Sequence, residues 1–190
     1  RRRDLQLIFQ DSRSALDPRL TIEAQVAEGL EIHNVATAAD RRILVDAMLE
    51  AVGLAGDLAK RYPHELSGGQ QQRAVIARAL VLEPKLVVCD EPVAALDVSV
   101  QAQVVNLLRD LQRNLGLAYL FISHDLSLVR HVADRVAVMY LGRFVEVAEC
   151  RALFDAPAHP YARALIGAVP AARSRRGRHV RPLRLDGEPP

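Results

Sequence analysis

Residues 66 to 97 read LSGGQQQRAVIARALVLEPKLVVCDEPVAALD, and the fold turns on how this run is parsed. Leu66-Ser67-Gly68-Gly69-Gln70 opens a helix: Ser67 is a good N-cap, and Gln70 completes an S-x-x-Q capping box. Gly68 and Gly69 carry no side chains, so a ligand can come up to the backbone N–H groups of the first turn. A helix start with open N–H groups and a positive dipole end suits a phosphate. The capping box alone describes an ordinary helix start. Further on, Leu86-Val87-Val88-Cys89 is a continuous apolar run. It predicts a strand covered on both faces of a parallel sheet. Asp90 and Glu91 stand at its C-terminal end, where open α/β sheets place ligands. Asp90 is suited to hold Mg²⁺, directly or through water, because that ion prefers oxygen ligands and keeps its waters. Glu91 is suited to orient and deprotonate an attacking water. Taken alone, the two carboxylates also read as solvated charges that begin a loop.

In order and spacing the whole run resembles the ATPase subunits of ABC transporters. The family's signature motif falls on residues 66–70, its Walker B strand on 86–90, its catalytic glutamate on Glu91 and its D-loop on Ala95-Leu96-Asp97. The resemblance implies an α/β fold. It would be a P-loop NTPase-type, mostly parallel sheet with an inserted helical subdomain, the N-terminal part of that fold missing from this chain. It implies ATP and Mg²⁺. Gln10, Ser67, Gly68, Gly69, Gln70, Asp90 and Asp97 would bind nucleotide, Gln10 and Asp90 would serve the metal, and Glu91 and His124 would be catalytic.

The composition agrees with one soluble-type domain. Of 190 residues, half are apolar and a quarter charged, and the formal net charge is +2. No apolar run approaches the roughly 18 residues that span a bilayer. Cys89 and Cys150 make no metal-type pair, and Cys89 reads as a small core residue of the strand. A reduced, cytoplasmic setting is expected.

Along the chain, residues 5 to 9 read as a strand followed directly by Gln10. In the family this is the Q-loop, whose glutamine touches Mg²⁺ and the attacking water; the region that follows, here residues 12 to 20, contacts membrane subunits. Helices are predicted from 21 to about 30, with Thr21 as cap, and after Thr37, with Gly53 as the stop. The helix from Gly68 should run to about Leu82 and end at Pro84. Gln71, Gln72, Arg73 and Arg78 supply its polar positions, Arg73 being either structural or near a phosphate. Asp97 is expected to cap a helix over 98–115, which Gly116 ends; in the family it also reaches across a dimer interface. Residues 117–122 read as a second buried strand, delivering Ser123-His124-Asp125. A lone His after a strand is an ordinary loop residue, but by the resemblance His124 is the switch histidine that faces the γ-phosphate. The remaining histidines form no metal-ligand spacing.

A short helix (126–133), a strand (136–141), a turn at Gly142 and a strand (143–148) follow. The stretch 153–165, LFDAPAHPYARAL, resembles a C-terminal region typical of dipeptide and oligopeptide importer ATPases. The expected domains are therefore 1–11 with 84–149 as an incomplete ATPase core, 12–83 as helical subdomain, and 150–190 as a truncated importer-type extension.

No G-x-x-x-x-G-K-[ST] occurs in the sequence, so the lysine and hydroxyl of a phosphate cradle are missing. The expectation is an excerpt of a longer protein that alone neither binds ATP tightly nor hydrolyses it. The implied partners are a second ATPase subunit, identical or not, transmembrane permease subunits and, indirectly, an extracytoplasmic solute-binding protein. The implied place is the cytoplasmic face of the membrane. Two rival readings stand beside this one. The first is a non-transport ABC-class ATPase acting on nucleic acid or ribosomes. Its support is the arginine-rich stretch 173–184, which has no interleaved aromatics and reads better as a solvated linker, so no nucleic acid is expected. The second is a non-enzymatic remnant lending its signature motif to another subunit. Dipeptides, oligopeptides, nickel and glutathione are all compatible solutes.

Overall fold

Strand β1 (Leu5–Ile8) pairs in parallel with β2 (Leu86–Asp90), and β2 with β3 (Ala118–Ile122), in the order β1-β2-β3. Leu5 lies opposite Leu86 and Leu86 opposite Ala118, so the C-terminal ends of the three strands share one edge. The computed structural model describes residues 3–168. Residues up to Ile122 form one compact unit and those from Ser123 a second.

In the first unit the connection from β1 to β2 is helical, through α1 (Ser12–Ala15), α2 (Ile22–Ile32), α3 (Ala38–Ala51) and α4 (Gly68–Leu80). Thr21 and Thr37 accept hydrogen bonds from Ala24 N and Asp40 N and so cap α2 and α3 as predicted. Helix α5 (Val98–Leu115) joins β2 to β3 and ends at Gly116, whose φ of 64° is the left-handed conformation that suits glycine. Helix α4 stops slightly before its expected end. Glu83 turns the chain at φ 52°, with its N–H on the carbonyl of Leu80 at 2.8 Å. The residue preceding Pro84 is kept out of the helical region by the proline ring.

Packing follows the two periodicities. Ile22, Val26 and Leu30 of α2, Ile76 and Leu80 of α4, and Val104 and Leu108 of α5 are buried with Ile8, Val87 and Cys89 of the sheet. The opposite face of the sheet differs from the expectation of burial on both sides. Leu5, Leu7, Leu120 and Ile122 are 43–53% exposed, and Leu86 and Val88 are half-buried. Strand residues alternate faces, and among the described residues the helices cover only one of them.

The second unit holds α6 (Leu126–Val132), an antiparallel pair β4 (Arg135–Tyr140) and β5 (Arg143–Glu149), α7 (Cys150–Asp155) and α8 (Pro160–Gly167). Leu141 and Gly142, at φ 48° and 75°, make a two-residue hairpin turn of the kind that matches strand twist. Val138, Leu153, Ala162 and Ile166 form its core, with Leu126, Phe154 and Tyr161 against it. The Tyr161 ring packs on Tyr140 at 4.4 Å between centroids. The carboxylate of Glu146 accepts the N–H groups of Ala158 at 2.9 Å and His159 at 2.8 Å, and the His159 ring caps α8. The arginine-rich stretch 173–184 lies outside the described residues.

Candidate nucleotide-handling site

The start of α4 is built as its sequence predicts. Ser67 Oγ accepts from Gln70 N at 3.3 Å, and Gln70 Oε1 accepts from Ser67 N at 2.9 Å. The turn before it is fixed from below: Gln71 Nε2 donates to the carbonyls of Pro63 (2.7 Å) and Leu66 (3.2 Å). Gln71 and Gln72, read from sequence as polar positions, are 7% and 1% exposed. Two turn carbonyls take the hydrogens of the buried Gln71 amide, while its Oε1 has no hydrogen-bond partner. Arg73, left between two roles by the sequence, donates Nη1 to the carbonyl of Val52 at 3.0 Å and so ties α4 to the end of α3, a structural role. In the first turn of α4, Gly68 lies beside the Leu96 side chain and Gly69 beside Val100.

Asp90 ends β2 opposite Ile122 and is exposed. Glu91 follows with its N–H on the carbonyl of Ile122 at 3.0 Å, which extends the β2–β3 ladder by one bond. Its φ of 45° is in the left-handed region, and Pro92 comes next. A non-glycine residue there costs on the order of 1 kcal/mol, a cost concentrated at the residue the sequence singles out as catalytic. The turn is closed by Ala94 N on Glu91 O at 3.2 Å. Gln10 is an exposed bend residue two positions beyond β1, at the same edge as Asp90. An exposed carboxylate and an exposed amide at one edge of the sheet are oxygen donors of the kind Mg²⁺ takes, and that ion fills the rest of its shell with water and phosphate. Among the described residues no three His, Cys, Asp or Glu side chains cluster as a ready-made metal cage.

Asp97 holds the N-cap position of α5, but its side chain makes no capping bond, against expectation. Its backbone carbonyl closes the first turn instead, accepting Val100 N at 2.9 Å and Gln101 N at 2.8 Å. Asp97 itself is exposed, while the preceding Leu96 lies against Gly68. The structure therefore brings the 67–70 turn against the 96–100 segment. His124 is not part of this unit; it is exposed near the start of the second, where Asp125 N donates to Ser123 Oγ at 3.0 Å and Asp125 Oδ1 caps α6.

Sequence reasoning missed what shapes the segment after Gln10. A cleft of about 580 Å³ is lined by Asp17, Arg19, Gln25, Glu28 and Arg78. Gln25, 2% exposed, accepts Asp17 N at 2.8 Å and donates to the carbonyls of Asp17 and Leu20, both at 3.1 Å. The Arg19 guanidinium hydrogen-bonds Asp17 and holds its carboxyl down at about 2. Beneath the sheet, burial pushes the Cys89 thiol up to about 12, and the Tyr119 hydroxyl upward too.

Residues 1–94 match the family described as ABC transporter, and residues 145–188 the family described as oligopeptide/dipeptide transporter, C-terminal region. YkfD of Bacillus subtilis, named for oligopeptide transport and ATP binding, is 55% identical over 169 residues, 88% of this chain and 51% of YkfD. The glutathione import ATP-binding protein GsiA of Escherichia coli is 53% identical over 188 residues, 99% of this chain and 30% of GsiA. The chain thus spans about half the length of the first of these relatives and less of the second. Among solved structures, cbiO1 from Clostridium perfringens, part of the ABC transporter complex cbiONQ, superposes with a TM-score of 0.73 at 31% identity, covering 81% of this chain and 60% of that one. The two matched families and these relatives, on a parallel sheet whose central strand ends in two carboxylates, carry one conclusion: the chain belongs to the ATP-binding proteins of the ABC transporter family.

Proposed function

We propose that this chain is part of the ATP-binding and ATP-hydrolysing motor of an ABC importer for dipeptides or oligopeptides. The observation that carries the reading is the packing of the 67–70 turn against the 96–100 segment, in the unit whose parallel strands present Gln10, Asp90 and Glu91 at one edge. The match of residues 145–188 supports a peptide as cargo.

In this reading Glu91 orients the attacking water and takes its proton, its backbone held at the strand end by the ladder bond to Ile122. Gln10 and Asp90 hold Mg²⁺, which when bound neutralises charge on the phosphates. His124 faces the γ-phosphate. Ser67, Gly68, Gly69 and Gln70 offer helix N–H groups and a hydroxyl to the nucleotide of a partner ATPase subunit, and Asp97 reaches toward that partner. Displacement at phosphorus needs little covalent help, so these groups act by positioning and charge. Residues 12–83 form the helical subdomain, 1–11 with 84–149 the catalytic core and 150–190 the importer-type extension. The cleft at Asp17 and Arg78 receives a permease subunit, which puts the protein at the cytoplasmic membrane face and serves a solute-binding protein indirectly. The chain of 190 residues by itself does not turn over ATP.

The test is Glu91→Gln in the whole ATP-binding protein assembled with its permease. Hydrolysis should fall at least about a hundredfold while ATP binding persists. Wild-type turnover in the variant would sink the assignment, and an assembly that hydrolyses ATP but moves no peptide would sink the cargo.

A further inference from the structure

The two signature glycines differ in what surrounds them. A Cβ at Gly68 would meet Leu96 Cδ2 at 3.6 Å, an ordinary contact. A Cβ at Gly69 would meet Val100 Cγ1 at 2.5 Å, a separation that real atoms do not adopt. Val100 stands in the first turn of α5, and a valine in a helix has one strongly preferred χ1, so swinging its methyl aside is unfavourable. Its Cβ lies 3.9 Å from the same point, so the obstruction is the methyl alone. Gly69 is thus closed to a side chain by Val100, apart from any need to let a phosphate approach.

We propose that Val100 is a positioning residue: its methyl, seated on Gly69, sets α4's first turn against α5's and keeps the signature residues in register with Asp97. The inference rests on the ATPase reading above and adds how the site is held. Packed interfaces of this kind sit in discrete arrangements, so the two turns move as one piece.

The experiment compares wild type, Gly69→Ala, Val100→Ala and the double variant in the whole ATP-binding protein with its permease. It reads kcat for ATP and the thermal unfolding midpoint of each. Gly69→Ala should lower kcat by about tenfold or more, since small misplacements of a positioned group are costly. Val100→Ala alone, which leaves the turns loosely seated, should lower it by about threefold, and the double variant should return to the Val100→Ala value. A double variant as slow as Gly69→Ala, with wild type active, overturns the positioning role and leaves the ATPase reading intact. A Gly69→Ala protein that loses unfolding midpoint but keeps kcat also overturns it, because the contact would then serve stability alone. A wild type that hydrolyses no ATP overturns the ATPase reading and the positioning role together.

Discussion

Arg78 donates from Nη1 to the carbonyl of Ala15 at 2.6 Å, across 63 positions of the chain. Its Nη2 lies 3.3 Å from Glu28 Oε2, so one guanidinium joins α4 to both α1 and α2. The same helix begins at the Ser67 cap. A helix of that length is a rod of about 20 Å, and it connects the signature turn to the wall of the cleft.

The first prediction concerns that joint. Arg78→Met keeps much of the stem and removes the donors. The Ala15 carbonyl then has only water, and the variant should lose about 1–2 kcal/mol of unfolding free energy, the lower part of the range for charged donors because the site is partly exposed. Chemical denaturation checks it. Arg78→Lys should recover only part, since one ammonium cannot serve both acceptors in the planar geometry of the fork. Equal stability of all three proteins would show that the bond contributes nothing.

A second prediction follows from Gln25. Its amide is buried and meets one N–H and two carbonyls of the 17–20 turn. Gln25→Leu preserves volume and strands those groups, which should cost about 1–3 kcal/mol. The loss should concentrate in the cleft. Hydrogen exchange at Asp17 and neighbouring amides should speed up far more than exchange in α5. Uniform acceleration would mean that the glutamine supports the whole unit rather than this wall.

What could be read in the chain beforehand was local. Thr21, Thr37 and Ser67 announce their helices because cap and partner lie within three residues, and α5 was bounded correctly by Asp97 and Gly116. The carboxylates at the end of β2 were legible because an apolar run places its C-terminal end. Non-local burial was not legible. Gln25, Gln71 and Gln72 look like solvent positions, since the carbonyls that meet Gln25 and Gln71 belong to turns whose approach no periodicity reports. Arg73 and Arg78 depend on partners 21 and 63 positions away. Asp97 shows another limit. The residue type fits an N-cap, but whether the side chain turns inward is a rotamer choice set by its neighbours. The coverage of β2 was overestimated because an apolar strand reports what it could bury, not what lies against it.

A third prediction is a pH dependence in the second unit. The Ala158 and His159 N–H groups hold the Glu146 carboxyl below its ordinary value of 4.5. A depressed folded-state value means that the ionised form binds the fold better. The contribution is fully present above the unfolded value and is lost as pH falls through the folded one. Helix α8 should therefore loosen as pH falls below the ordinary carboxylate range. Glu146→Gln should lower α8 stability at pH 7 and remove that dependence. A variant with the same acid transition at α8, followed by amide resonances from pH 6 to 3, would assign the transition to another group.

The fourth prediction uses the cysteine beside the site. Cys89 is fully buried in β2, directly before Asp90, and burial raises its thiol to about 12. The thiolate is the reactive form, and at pH 8 a group of that pKa is ionised only to about one part in ten thousand. Reaction also requires access, which here means opening the face of the sheet covered by the helices. Cys150, also buried, is removed as Cys150→Ser so that one thiol is followed. The remaining thiol should resist a colorimetric disulfide reagent for hours at pH 8 and react at once in denaturant. Labelling within minutes under native conditions would mean that β2 opens readily. The strand that carries Asp90 and Glu91 would then be too mobile to aim a carboxylate at a water, and the catalytic assignment of Glu91 would lose its structural support.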